Sequence, residues 1–142
     1  MLYQKLLPPS ALCFDVGCHL GRKAGAMLKA KARVIGIEPE PLSQRMLEHE
    51  FRFSNHFTLV KKGIADTKGK RDLHVGRNLS MTSFRDDWTS SSYTIEVEID
   101  TLDSMIEQYG KPYYIKIDVE ARRISPARPV PEGVTDQLRV SH

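Results

Sequence analysis

The residues best suited to chemistry in this 142-residue chain fall in three short stretches. The first is Asp15-Val16-Gly17-Cys18-His19-Leu20-Gly21, a glycine-bearing turn between an apolar run and a helix-forming one. Glycine lets a backbone approach a ligand with no Cβ in the way. The open N–H groups and dipole of a following helix favour a carboxylate, and Asp15 is placed to accept hydrogen bonds from an amino group. The second is Glu38, which closes another apolar run and can accept both hydroxyls of a ribose. The third is Asp118 with Glu120, just past Tyr113-Tyr114-Ile115-Lys116-Ile117. A carboxylate there can remove the proton of a hydroxyl acceptor, while Lys116 suits pairing with a carboxylate more than reaction. Each stretch also has a plainer reading: a turn with no ligand, a solvated acid, or a carboxylate pair that fixes the next loop.

The spacing separates two kinds of nucleoside ligand. A dinucleotide site packs its pyrophosphate on Gly-x-Gly-x-x-Gly. Here the pattern is Asp-x-Gly-x-x-x-Gly with His19 inside it, which favours S-adenosylmethionine over a nicotinamide dinucleotide. No metal is assigned. Two carboxylates are too few ligands to name one, and Cys13, Cys18 and His19 have no second Cys/His pair at zinc-site spacing.

These residues need elements to hold them, and the pattern supplies alternating strands and helices. Leu12–Val16 and Arg33–Glu38 are short apolar runs that suit buried parallel strands. Between them Arg22–Lys31 is rich in good helix formers. Pro39 and Pro41 stop the second strand, and Leu42, Arg45-Met46 and His49 follow in helical spacing, with Ser43 or Glu40 near the start. Phe57–Val60 makes a third strand. The turn-rich segment 63–70 leads into Arg71–Val75, whose alternation predicts a hairpin-like addition at one edge. Residues 76–92 read as a polar, mobile loop, and Tyr93–Ile99 as a half-exposed strand. Asp100 or Thr101 is placed to cap a helix over Leu102–Tyr109, which Gly110 and Pro112 end. Tyr113–Ile117 is then the fourth core strand. The series predicts an α/β fold with strand order third, second, first, fourth, and helices on both faces. The ends of the first and fourth strands would meet where the order reverses, the usual place for a ligand.

Composition narrows the function classes. The chain is 40% hydrophobic and 27% charged, ordinary for one globular domain. Its charge of +3 is mostly in the tail, where residues 121–142 hold four Arg against Glu132 and Asp136. The body carries no basic cluster, so nucleic acid is not an expected partner. Two cysteines make no disulfide framework. With no signal-like start and no apolar run of about 20 residues to span a bilayer, a cytoplasmic protein with reduced thiols is expected.

The ordered motifs resemble the FkbM family of methyltransferases. Phe14-Asp15-Val16-Gly17 with Gly21, then Ile37-Glu38-Pro39, look like that family's first two motifs. Gly63-Ile64-Ala65-Asp66-Thr67-Lys68-Gly69 is similar to its segment after the third strand, and Thr82-Ser83-Phe84 to its Ser-bearing loop. Ile99-Asp100-Thr101-Leu102-Asp103-Ser104-Met105 resembles its Thr-Leu-Asp-Ser signature, and Tyr114-Ile115-Lys116-Ile117-Asp118-Val119-Glu120 its Lys-Ile-Asp-Val-Glu motif. The resemblance implies a Rossmann-like class I methyltransferase fold of three layers, α/β/α. It implies S-adenosylmethionine as methyl donor, bound by Asp15, Gly17, Gly21, Glu38 and Asp66, the last in a turn flanking adenine. Asp118 and Glu120 would be the catalytic acids, and the acceptor a hydroxyl on a small molecule, sugar or lipid. Members usually carry Ala-Asn where this chain has Cys18-His19, a substitution expected to be tolerated.

After Glu120 the likeness stops, where the family continues with Gly, a helix and the last strands. Residues 1–120 therefore read as a partial methyltransferase domain lacking its C-terminal strands. Residues 121–142, with three of the eight prolines, read as a disordered or out-of-family tail, the mark of a frameshift or truncated gene. Tyr113–Ile117 is then expected to lack a neighbour on one side, an apolar edge open to self-association. A weakly active or inactive fragment is the expectation. The alternatives are a non-catalytic module that keeps the cofactor pocket, or a nicotinamide-dependent oxidoreductase domain.

Overall fold

A computed structural model describes residues 2–76, 92–118 and 140–141. Thr82–Phe84 and Glu120 lie outside them, as do most of the expected loop and tail. The chain begins with a helix that composition did not announce, α1 (Leu2–Leu6), before β1 (Leu12–Val16) and α2 (Arg22–Lys29). β2 (Arg33–Ile37), α3 (Pro41–Glu50) and β3 (Phe57–Val60) complete the first alternation. β4 (Gly63–Ile64), β5 (Gly69–Gly76) and β6 (Ser92–Asp100) follow, then α4 (Leu102–Tyr109), β7 (Tyr114–Ile117) and β8 (Val140–Ser141).

The main sheet is parallel throughout, in the order β3-β2-β1-β7-β8. Its first four strands stand in the order expected from sequence. Successive strand residues point to opposite faces, and both faces are covered. Cys13 and Val34 face α1, α2 and α3, packing with Ala24, Met27 and Leu47. Phe14, Val16, Ile35, Ile37 and Ile115 face α4, against Met105. The result is a three-layer α/β/α sandwich with a switch in strand order between β1 and β7. Phe14 and Met27 have no exposed surface, so truncating Phe14 to alanine should cost about 3–5 kcal/mol.

Helix ends follow their local chemistry. Glu40 caps α3, its carboxylate accepting from Leu42 N at 2.9 Å and Ser43 N at 2.6 Å, with Pro41 in the first turn. Proline suits that position because its missing N–H would have no partner there. Thr101, rather than Asp100, caps α4 by accepting from Ser104 N at 3.1 Å. In α3 the buried residues are Ser43 and Leu47, whereas Leu42 and Met46 are exposed.

Three expectations need correction. The segment after β3 is no appendage to the main sheet. β4, β6 and β5 form a second sheet in that order, with its own apolar cluster of Leu73, Val75, Val97 and Ile99. Second, β7 has a neighbour: β8 runs parallel to it, Ile115 opposite Val140 and Lys116 opposite Ser141. Those four backbone positions leave less of the β7 edge for self-association than expected. Third, the tail is not wholly without regular structure, since Val140–Ser141 are strand. Among the described residues no helix is long and apolar enough to cross a membrane.

Candidate functional site

The site lies at the carboxyl ends of β1, β2 and β7, and its frame is the turn after β1. Gly17, His19 and Gly21 all have positive φ, at 75°, 56° and 84°. In this conformation glycine carries no steric penalty, and Asn, Asp and His are enriched among the other residues. That is why a histidine can stand at position 19 of the turn. Gly17 N and Cys18 N both donate to Ile37 O, at 2.9 and 3.1 Å, which fastens the turn to β2.

The glycines are needed for a reason other than ligand approach. A Cβ on Gly17 would stand 3.1 Å from the Asp118 Cβ. One on Gly21 would stand 2.5 Å from Phe51 and 2.8 Å from Leu47. Both therefore close the turn against neighbouring elements. Gly36, inside β2, was not singled out from sequence, although a glycine within a Val-Ile-Gly-Ile strand marks a close approach. A Cβ there would meet Phe57 at 2.7 Å and the Cys18 Sγ at 3.0 Å.

Glu38 is buried, and it joins the turn to α3. Its Oε1 accepts from His19 N at 2.7 Å and its Oε2 from Glu40 N at 2.9 Å. Gln44 Nε2 donates to the Glu38 carbonyl at 2.8 Å. Both carboxylate oxygens of Glu38 therefore help to hold the turn and the entry to α3 in place.

Asp15 is 1% exposed, and its Oδ2 has no hydrogen-bond partner among the described residues. A buried acceptor left unsatisfied is costly and calls for an explanation. Burial raises the Asp15 pKa to about 6, and Asp118 pushes the same way. Lys116, the Cys18 thiol and the Ala24 amide oppose the rise. The Cys18 thiol is itself pushed up, by burial first and then by Asp15. Cys18 as a donor to Asp15 was not legible in sequence.

Asp118 follows β7, and its N–H donates to Val16 O at 2.9 Å. Its Oδ2 lies 4.0 Å from Lys116 Nζ, the pairing with a carboxylate that sequence suggested for this lysine. The structure thus brings Asp15, Gly17, Glu38, Lys116 and Asp118 to one end of the main sheet. Asp66 lies between β4 and β5 of the second sheet, not at the strand ends of the main one. It pairs with Arg71 at 2.6 Å, a contact that holds its carboxyl below the usual range. Gly21 closes the turn at the start of α2, and Glu120 is outside the described residues.

Another buried carboxylate, Asp100, was anticipated only as a cap. It accepts from Lys62 Nζ at 3.1 Å and from Thr101 N at 2.8 Å, with Lys68 at 3.9 Å. Burial opposes its ionisation, but the Thr101 amide, Lys62 and Ser104 outweigh that and hold its carboxyl low. Among the described residues no three His, Cys, Asp or Glu side chains gather as a metal site.

The family model described as "Methyltransferase FkbM domain" matches residues 15–121, from the buried Asp15 to just past the Asp118 strand end. The chain belongs to this family. As an FkbM methyltransferase domain it has the Rossmann-like class I fold, with the turn after β1 and the ends of β2 and β7 at one end of the main sheet. Among solved structures it is similar to a TehB-like SAM-dependent methyltransferase from Corynebacterium glutamicum, at 25% identity and a TM-score of 0.37. That match covers 42% of this chain and 30% of the other. It is also similar to the 1,6-didemethyltoxoflavin-N1-methyltransferase of Burkholderia thailandensis, solved with 1,6-didemethyltoxoflavin and S-adenosylhomocysteine. There identity is 13% and the TM-score 0.34, over 75% of this chain and 61% of that one. The FkbM chain thus matches less than two thirds of either structure's length. No curated protein matches it.

Proposed function

We propose that this FkbM domain binds S-adenosylmethionine at the ends of β1, β2 and β7 and serves methyl transfer to a hydroxyl acceptor. The observation that carries the reading is the lone Oδ2 of Asp15, a buried acceptor beside a glycine turn. The cofactor's methionine end has the ammonium group such an atom lacks. The first turn of α2 has N–H groups without intrahelical partners, suited to the adjoining carboxylate. Glu38 would meet the ribose hydroxyls while keeping the turn closed through His19. Asp66, with Oδ1 on Arg71, would offer its other oxygen to the adenine amino group.

When bound, the cofactor supplies a methyl group on a positively charged sulfur. Much of the rate in such a displacement comes from positioning. The chain's part is to hold donor and acceptor in line and to receive a proton. Asp118, half-exposed at the mouth of the site, is the assigned base for the acceptor hydroxyl, with Glu120 the second acid of its motif. The acceptor class is a small-molecule, sugar or lipid hydroxyl.

Calorimetry of the full chain with S-adenosylmethionine, S-adenosylhomocysteine and NAD tests the binding step. Heat from the first two and none from NAD is expected. Binding of NAD alone would move the chain to the oxidoreductases. Labelled methyl transfer into hydroxyl acceptors then separates an enzyme from a module that only binds. Asp118→Asn should lower that transfer by about 10²-fold or more, as loss of a general base does.

A further inference from the structure

Lys116 has no part in the transfer just described, yet it stands among the acids of the site. In the parallel pairing of β1 and β7 it lies directly beside Asp15. Its Nζ is 4.0 Å from Asp118 Oδ2, and its side chain is only 14% exposed. An ammonium so far removed from water is tolerated where carboxylates compensate it. Asp15 and Asp118, on adjacent strand ends, repel one another when both are ionised. Lys116 is a cation placed beside both.

We propose that Lys116 is a positioning residue that holds Asp15 and Asp118 as one charged cluster and thereby sets the pH below which the cofactor is released. The inference rests on the S-adenosylmethionine reading and deepens it. Without Lys116 the more enclosed acid, Asp15, takes up a proton at higher pH and its acceptor is lost.

Around Asp15, β2 places Gly36, which has no side chain, and the other elements bring the groups that follow. From α1 comes Tyr3, whose hydroxyl is raised to about 12, by burial first and then by Tyr114, so that it stays neutral. The turn contributes the Cys18 thiol, also neutral at physiological pH because burial raises it. From α2 comes the Ala24 amide, and from β7 Lys116 and Asp118. Lys116 is therefore the full positive charge acting on Asp15 from these elements. His19 is the other titratable side chain of the turn.

The test is a ¹³C NMR titration of the Asp15 carboxyl in the unliganded full chain, from about pH 4 to 8. It is run on the native chain, Lys116→Met and Lys116→Arg, with calorimetric affinity for S-adenosylmethionine over the same range. The Met variant should raise the Asp15 midpoint by about one unit or more. At a pH between the two midpoints its affinity should fall by about tenfold for each unit. Lys116→Arg should restore both, and His19→Asn should leave the Asp15 midpoint in place. Thermal melts establish that each variant is folded, and Lys116→Gln takes the same test if the Met variant is not.

A folded neutral variant that binds the cofactor but titrates at Asp15 as the native chain does would overturn the inference alone. A native chain that ignores S-adenosylmethionine at every pH, with the Asp15 midpoint still responding to Lys116, would sink the cofactor reading and with it the release step. The electrostatic cluster would survive that second result.

Discussion

Asp15 in the main sheet and Asp100 in the second sheet are both buried carboxylates, 1% and 5% exposed. Their surroundings differ. Asp100 receives Lys62 and the Thr101 amide, and its carboxyl is held below the ordinary range. Asp15 keeps an oxygen with no hydrogen-bond partner among the described residues, and burial lifts its pKa to about 6. A satisfied buried acid ties elements together, here β6 and α4 to the link after β3. An unsatisfied one costs stability, and structures keep such a cost at places that do work. The contrast supports the proposed cofactor site at the β1 end and a scaffold role for the Asp100 cluster.

The largest expected effect concerns the costly acid. Its folded pKa of about 6 stands above the ordinary 3.8, so the native state holds the proton more tightly than the unfolded chain. Stability on this account is greatest below the unfolded value and falls as pH rises through about 6. Asp15→Asn should therefore stabilise the unliganded chain by up to about 3 kcal/mol at pH 7.5. Near pH 3.5 the gain should vanish, while affinity for S-adenosylmethionine is weakened wherever the native Asp15 is ionised. Urea melts at the two pH values read the first effect, and calorimetry the second. A variant destabilised at pH 7.5 would place Asp15 with the scaffold.

Asp100→Asn should act in the opposite sense. Its carboxyl is depressed, so its contribution is present above the unfolded value and is lost as pH falls through the folded one. At neutral pH the variant should lose about 2 kcal/mol, since Lys62 and the Thr101 amide lose a charged acceptor. The loss should shrink in acid, and urea melts across pH follow it. Smaller still, Thr101→Ala removes the α4 cap and should cost about 1 kcal/mol with little dependence on pH. A pH-dependent loss there would mean that Thr101 acts through Asp100.

Much of this contrast was legible from residue types, and the missing part has a physical cause. Strands buried on both faces read as continuous apolar runs, which made β1, β2, β7 and their order visible. Asp15 and Glu38 stood out because acids close those runs. What distinguishes Asp15 from Asp100 is non-local. Lys62 reaches Asp100 across 38 positions, and Lys116 meets Asp15 through strand pairing. No local pattern announces either. The second sheet was misjudged for the same reason, because β4 pairs with β6 rather than with its neighbours in sequence. In α3 the helical spacing of Leu42 and Met46 was legible, but Leu47 and the small Ser43 are what pack inward. β8 escaped notice because two residues carry no periodicity.

One experiment reaches the central claim directly: amide NMR of the ¹⁵N-labelled chain as S-adenosylmethionine is added to millimolar concentration. Shifts should concentrate at Gly17, His19, Gly21, Glu38 and Asp118, with the Asp100 region nearly still. Unmoved signals at those positions in a folded sample, or a response centred on Lys62 and Asp100, would contradict it.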